Sequence, residues 1–461
     1  MSSILFSGAA GEVTGSRHLL KLPQGQVLLD CGMFQGRREE ARRKTERFLF
    51  DASKVDAVVL SHAHIDHCGS LPLLMKQGFK GRIVCSEATA DLARLLLLDS
   101  AHIQELDARF WAKRHGGRRD FEPVYDTADA EACLERFDAV PYALAHEVLP
   151  GVRVHLYEAG HILGSAQVSL RWEEDGRERS LYYTGDLGGP GAPLLKDPFR
   201  PKQAPDVLLL ESTYGDREHL AGPDPDAELA AAVAPVLARG GKVLIPAFAV
   251  GRTQELVYVL AGLFEQGKLW RVPVYVDSPL AARTTRLFQE HRNLMDSDFH
   301  ADWKGRDPFK QPWLDYPEDK RASQALNRLQ GPAIILAASG MCEAGRVLHH
   351  LAHLLPDPNN AVLFAGFQAQ GTLGRRLKEG AKLARLYGED VPVLAQVLSL
   401  DGFSAHADRT QLLAFARALP QAPAKAWLVH GELQGASSLA AELRQSGWDA
   451  EVPLYGKSAA L

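Results

Sequence analysis

The run SHAHIDHCG, Ser61 to Gly69, sets three imidazoles and a carboxylate (His62, His64, Asp66 and His67) close together directly after the apolar stretch VDAVVL. Whatever the chain folds into must deliver that cluster to the end of an extended segment. Neutral imidazole and carboxylate are the nitrogen and oxygen ligands that suit divalent zinc. His62 and His64 lie two apart, so on an extended tip their side chains point the same way, whereas Asp66 and His67 fall beyond the bend and can face a second ion. Two ions separated by one short loop is the implied geometry. A plain surface cluster is the alternative. With 17 His in 461 residues, the chance of an H-x-H-x-D-H string at a given start is on the order of 10⁻⁶, which favours the metal reading.

A chain of 461 residues exceeds one ordinary core and predicts about two or three domains. A hydrophobic content of 46% and a charged content of 24% fit a globular enzyme. The net charge of −5 excludes a global basic field that would hold nucleic acid nonspecifically, so a polyanionic substrate has to be attracted by metals and local clefts. Cys31, Cys68, Cys85, Cys133 and Cys342 are odd in number, scattered and free of any C-x-x-C pair, which predicts reduced thiols in a cytoplasmic protein. The N-terminal MSSILFSGAAGEV has no basic region and too short an apolar run for a signal peptide. No stretch approaches a membrane span, since LARLLLL is bounded by charges.

Through the first two hundred residues, short β-type runs alternate with turns, interrupted by a helical pattern from about Thr89 to His115. The runs VLLLES, GKVLIPAF, VPVYVDS and AIILAASG each precede a helical segment, the βαβ signature of a parallel sheet. Three parts are expected: residues 1–210, an inserted α/β domain at 211–392, and a return of the first domain at 393–461, opening with the strand VLAQVLSL.

Six further residues close strands or follow them: Asp30, His161, Asp186, Glu211, His406 and His430. Taken singly, an Asp after a strand is usually a turn or cap residue, and a lone buried His is usually a satisfied core residue. Repetition of one position type, each beside a glycine or small residue, behind a specific metal motif, favours a site built from loops.

The motifs GAAGEVTGS, LLDCG, HAHIDH, AGHILGS, YTGDLG, ESTYGDR, PAFAVGRTQE, ASGM, GTLG, GFSAHAD and VHG stand in one order along the chain. With them the whole sequence resembles the β-CASP nucleases of the metallo-β-lactamase superfamily, relatives of the endonuclease subunit of the pre-mRNA cleavage and polyadenylation factor. No KH-type RNA-binding extension precedes the motifs, as in the compact bacterial form. The resemblance implies an αββα metallo-β-lactamase sandwich with an inserted β-CASP domain built on a parallel sheet. It implies that His62, His64 and His161 bind one zinc ion, that Asp66, His67 and His430 bind the other, and that Asp186 bridges both with a hydroxide. Two ions so held lower the pKa of a shared water and clamp the entering and leaving oxygens of an in-line displacement at phosphorus. Asp30 then supports the ligand loop by accepting a hydrogen bond. His406 resembles the family's proton donor to the leaving ribose oxygen, oriented by Glu211, and imidazole suits that task because its pKa lies near neutrality.

Ser339 and Gly340 follow the strand AIILAA, while Gly371 and Thr372 open the helix-like GTLGRRLKEG. Exposed amides at a helix start attract phosphate, so both turns are candidate clamps for a nucleic-acid strand, joined by Ser404 and by Arg252, for which solvent or an ion pair is the default. His349 and His353 sit four apart in GRVLHHLAHLL, but no glutamate follows the first and no third ligand is evident, so a half-buried helix face is the better reading.

The expected function is a zinc-dependent ribonuclease acting on single-stranded RNA with two zinc ions, leaving 5′-phosphate and 3′-hydroxyl ends. A DNA nuclease of the Artemis type shares the core but usually lacks a His in VHG, where this chain has His430. A small-molecule metallo-hydrolase has no use for so large an insertion, and a noncatalytic scaffold would have lost ligands. Endo- against exonuclease mode stays open, as does the oligomeric state, a homo-oligomer included.

Overall fold

The computed structural model describes residues 1–461 except Arg37, 115–121, 220–223, Phe367, Ala369, Gln370 and Asp401, and except the side chains of Arg38, Trp111, Lys113 and Arg114. The chain divides into two compact units, one made of 1–192, 196–218 and 406–461, the other of 193–195 and 219–405.

The first unit contains two mixed seven-stranded sheets. In one, Ser458–Ala460, Ser3–Phe6, His18–Leu22 and Gly25–Leu29 pair antiparallel, and then Ala57–Val59, Arg82–Cys85 and Phe137–Ala139 continue in parallel. In the other, His146–Leu149, Val152–Glu158, Ala166–Glu174 and Arg177–Tyr183 pair antiparallel, followed in parallel by Val207–Glu211, Lys425–Val429 and Ala450–Glu451. Alternation explains how the sheets pack. Ile4, Phe6, Val27, Leu29 and Val59 of the first sheet share one core with Val152, Val154, Leu156, Val168, Leu170, Leu209 and Val429 of the second, each set spaced two apart so that it faces one way. The intervening residues Tyr182, Leu208, Leu210, Ala426 and Leu428 are buried instead in a cluster with Leu412, Leu413 and Ala416 of helix Arg409–Arg417 and Leu439 and Leu443 of helix Leu433–Gln445. The strands Val207–Glu211 and Lys425–Val429, which lead to Glu211 and His430, are thus pinned on both faces, each large apolar side chain contributing roughly 1.5–3 kcal/mol.

The second unit is built on an all-parallel sheet in the order Leu314–Asp315, Val274–Asp277, Ala333–Ala337, Lys242–Pro246, Ala361–Ala365, Gln396–Leu400. Ala333–Ala337 and Ala361–Ala365 are buried along their whole length, as continuous apolar runs covered on both faces must be. The strand expected to reopen the first domain at residue 393 lies here: Gln396–Leu400 pairs in parallel with Ala361–Ala365. The units therefore divide after residues 218 and 405, where the sequence pattern placed the changes at 211 and 393. An apolar run pairs equally well with either sheet, so its composition does not say which one it joins.

Helix Glu87–Arg114 covers most of the expected helical pattern; His115 lies outside the described residues. No described helix is long and apolar enough to cross a membrane. All five cysteines are free and buried.

Candidate metal centre

The strand Ala57–Val59 ends beside Asp30, and the short helix Ile65–Cys68 follows within a few residues. The loop between them is tied down by its backbone: Ser16 N donates to Asp66 O, Cys31 N to His67 O and Met33 N to Ile65 O. Gly32 is required at the closest approach, because a Cβ there would lie 1.6 Å from Asp66 O. Two site residues, Asp30 (φ 56°) and His430 (φ 51°), hold left-handed backbone, which costs a non-glycine residue roughly 1–2 kcal/mol and aims each side chain across its strand end.

Ligand atoms of His62, His64, His161 and Asp186 lie within 4.8 Å of one another, as do those of Asp66, His67 and His430. Within the first group His64 Nδ1 stands 3.1 Å from both His62 Nε2 and His161 Nε2. Within the second, His67 Nε2 stands 3.0 Å from His430 Nε2. Asp186 lies between the groups: Oδ2 is 3.5 Å from His62 Nε2, 3.4 Å from His67 Nε2 and 3.5 Å from His161 Nε2, and Oδ1 is 3.3 Å from His430 Nδ1. Tetrahedral ligands at about 2 Å from zinc stand roughly 3.3 Å apart. The donor set therefore fits zinc, and the buried Asp186 Oδ1, which accepts no hydrogen bond among the described residues, fits a cation better than a solvent-free core.

Electrostatics agree with that fit at His62, His64 and Asp66, whereas at His67 burial is outweighed by the charges and hydrogen bonds of Asp186 and Asp30, which favour a proton that a cation would have to displace. Burial and the neighbouring His67 hold His62 well below the ordinary imidazole pKa. Burial also holds His64 down, to about 4, against the pull of Asp66 and Asp186. Both are neutral imidazoles with a lone pair to offer. Burial opposes ionisation of Asp66 as well, but the hydrogen bond and charge of His430 and the charge of His67 outweigh it and bring the carboxyl down to about 2.

Asp30 is fully buried. Its Oδ1 accepts from Ser61 N (2.7 Å), while Oδ2 accepts from Ser61 Oγ (2.8 Å), Tyr183 OH (2.6 Å) and His67 Nδ1 (2.7 Å). That last bond leaves His67 Nε2 facing the second group. Ser61 and Tyr183 were not identified from sequence, although both stand immediately beside motif residues. Arg17, fully buried between Phe34 and Phe48, donates to Gly32 O (2.8 Å) and Ser70 Oγ (2.7 Å) and so braces the same loop. It too lay outside the motif reading.

His406 Nδ1 donates to Glu211 Oε1 at 3.2 Å. Burial opposes its protonation, but the charge of Glu211, the Glu211 hydrogen bond and the charges of Asp186 and Asp66 outweigh it and raise the ring to about 9. The His406 and His161 ring centroids are 4.5 Å apart, which sets the His406 ring beside the first ligand group.

Ser339, Gly340, Gly371, Thr372, Ser404 and Arg252 all lie in the second unit. Two expectations about them need correction. The helix that GTLG opens, Leu373–Lys378, has six residues, and its first amides are engaged: Leu373 N donates to Glu343 Oε1 (2.6 Å), Gly374 N to Met341 O (3.1 Å) and Arg375 N to Thr372 Oγ1 (3.2 Å). Those amides are not open to phosphate. Arg252 is no free cation, because it is buried, pairs with Glu255 and lies 6.0 Å over the Phe403 ring. Ser339 Oγ accepts from Glu343 N, and Gly340 O from Gln368 Nε2. His353 Nδ1 donates to His349 O and the His349 ring stacks on Tyr387; neither joins a ligand group among the described residues.

Buried imidazoles and carboxylates converging at the strand ends of two facing mixed sheets define a metal-dependent hydrolase. Family descriptions match in three stretches: metallo-beta-lactamase superfamily over 18–231, Beta-Casp domain over 253–377, and Zn-dependent metallo-hydrolase RNA specificity domain over 390–453. Ribonuclease TTHA0252 of Thermus thermophilus is 39% identical over 98% of both chains. An RNase J-like protein of Methanocaldococcus jannaschii is 32% identical over 94% of this chain and 93% of its own, and the transcription termination factor FttA of the same organism is 33% identical over 93% of this chain and 67% of its own. A protein of unknown function from Enterococcus faecalis V583, 14% identical, shares the fold with a TM-score of 0.56 over the full length of both chains. The chain belongs to the β-CASP ribonuclease family of the metallo-β-lactamase superfamily.

Proposed function

We propose that this protein is a zinc-dependent ribonuclease that hydrolyses phosphodiester bonds of single-stranded RNA and leaves 5′-phosphate and 3′-hydroxyl ends. The observation that carries the reading is the position of Asp186 between two imidazole groups, with His406 hydrogen-bonded to Glu211 beside them. His62, His64 and His161 would hold one zinc ion and Asp66, His67 and His430 the other, with Asp186 available to both. When bound, the ions supply a hydroxide nucleophile at neutral pH and neutralise charge building on the phosphate.

The chain's own groups do the rest. Asp30 accepts a hydrogen bond from His67 Nδ1–H and so keeps the Nε2 lone pair directed at the ligand group. His406 gives a proton to the departing ribose oxygen, and Glu211 orients the ring and keeps it charged. Ser339, Gly340 and Ser404 remain the candidates for holding the strand. Of these, Ser404 contributes a hydroxyl.

The test incubates the purified protein with 5′-labelled and 3′-labelled single-stranded RNA and matched DNA, with and without chelator, alongside elemental analysis. RNA cleaved to 5′-phosphate ends by a protein carrying two zinc ions is expected. Equal cleavage of DNA, or full activity in chelator, sinks the reading.

A further inference from the structure

The segment Glu211–Ser212–Thr213 leaves the strand Val207–Glu211, which runs parallel to Lys425–Val429, the strand that ends at His430. Glu211 serves His406, and the next two residues serve His430 and its strand. Ser212 Oγ donates to Val429 O at 2.8 Å. Thr213 Oγ1 lies 3.0 Å from His430 O and 3.2 Å from His430 Nδ1.

A hydroxyl has one hydrogen and two lone pairs. The carbonyl of His430 can only accept, and of its two donors, Ser212 N at 3.4 Å and the Thr213 hydroxyl at 3.0 Å, the hydroxyl is the nearer, which places the Thr213 hydrogen there. Its lone pair is left facing the ring, and a lone pair opposite Nδ1 requires Nδ1 to carry the proton. Nε2 then holds the free lone pair. Nε2 is also the atom 3.0 Å from His67 Nε2 and 3.6 Å from Asp66 Oδ2, the two other members of its ligand group. His67 Nδ1 is matched to Asp30 in the same manner, and His62 Nδ1 has Ser61 Oγ at 3.1 Å. The other acceptor near His430 Nδ1 is Asp186 Oδ1 at 3.3 Å, but a carboxylate occupied in holding cations has that oxygen committed.

We propose that Thr213 is the positioning residue of the Asp66, His67 and His430 zinc site: its hydroxyl selects the Nδ1–H tautomer of His430 and turns Nε2 toward the ion. This rests on the two-zinc reading above. Groups that orient a metal-bound imidazole typically change metal affinity 10- to 100-fold when removed. Thr213 N donates to Glu211 Oε2 at 3.2 Å, and a side-chain substitution leaves that bond in place, so the effect separates from the His406–Glu211 pair.

The test is a zinc titration of the metal-free full chain against a competing chelator, for wild type, Thr213→Val, Thr213→Ala and Thr213→Ser, with circular dichroism to establish folding. Valine keeps the shape without the hydroxyl, alanine is the fallback where valine misfolds, and serine restores the oxygen. Expected is a loss of affinity of about 10- to 100-fold for one of two ions in the hydroxyl-free variants, recovered in Thr213→Ser. RNA cleavage by Thr213→Val should be lost at limiting zinc and regained with added zinc. Equal affinity for both ions in wild type and the hydroxyl-free variants overturns the proposal, since Asp186 would then take the Nδ1 proton. Failure of Thr213→Ser to recover affinity overturns it too, since packing of the methyl group would be the cause. A protein that shows the Thr213 effect on zinc but cuts no RNA refutes the ribonuclease reading and leaves this one standing.

Discussion

Glu211→Gln tests the coupling between the proton donor and its carboxylate most sharply. Glu211 is fully buried and accepts three hydrogen bonds: from Leu187 N (2.7 Å) and His406 Nδ1 (3.2 Å) on Oε1, and from Thr213 N (3.2 Å) on Oε2. Burial alone would depress the His406 pKa; the Glu211 charge is the largest influence opposing it and helps to lift the ring from 6.5 to about 9. That interval corresponds to roughly 3 kcal/mol of preference for the protonated ring. Bound cations act against it, so the informative comparison is between the two proteins under one set of conditions. The sign follows from the raised pKa. His406 is charged through neutrality and loses its proton as pH rises through about 9, and the stability it contributes is full below 6.5 and lost over the same interval.

Without the Glu211 charge and hydrogen bond, only the charges of Asp186 and Asp66 oppose burial, so the ring's pKa falls from about 9 and a smaller share of it is protonated above neutrality. Single-turnover cleavage of labelled RNA at saturating zinc should therefore slow at a pH of about 7.5, by less than the roughly 10²- to 10⁴-fold of a lost general acid, and the deficit should shrink toward a pH of about 6. The glutamine amide also sets an N–H donor against a buried donor, at a cost of about 1–3 kcal/mol, so thermal melts must show that the variant is folded. Parallel pH profiles for wild type and Glu211→Gln, offset by a constant factor, would refute the electrostatic argument and reduce Glu211 to a structural support.

His406→Ala should keep both zinc ions by elemental analysis and lose about 10²- to 10⁴-fold in turnover; loss of zinc with unchanged activity per bound ion would show that the ring is a ligand instead. Gly32→Ala places a methyl 1.6 Å from Asp66 O, so the ligand loop must move, and reduced zinc content or failure to fold is expected; full zinc occupancy with unaltered melting would show that the loop is compliant. RNA affinity should fall as salt is added, because phosphates displace counterions when they bind, and a flat salt dependence measured by fluorescence anisotropy would remove phosphate contacts from the account.

Much of the site is legible in the sequence because a zinc ligand must be one of a few residue types, and a strand that ends at a site carries it at its last position or just beyond. His62, His64, Asp66, His67, His161, Asp186 and His430 all have this signature, and their ligand atoms do converge. The two-sheet core is legible for a similar reason: alternation such as Val152, Val154 and Leu156 is written locally. Pairing is not local. The partner of the strand Gln396–Leu400, the Glu255 and Phe403 that surround Arg252, and the Glu343 that fills the start of Leu373–Lys378 are chosen only when distant segments meet. The same holds for Thr213 and His430, 217 residues apart. A sequence specifies which side chains can donate, accept or ligate. Which lone pair faces which proton depends on distances between strands that are neighbours in the sheet and remote in the chain, and tertiary packing alone sets them.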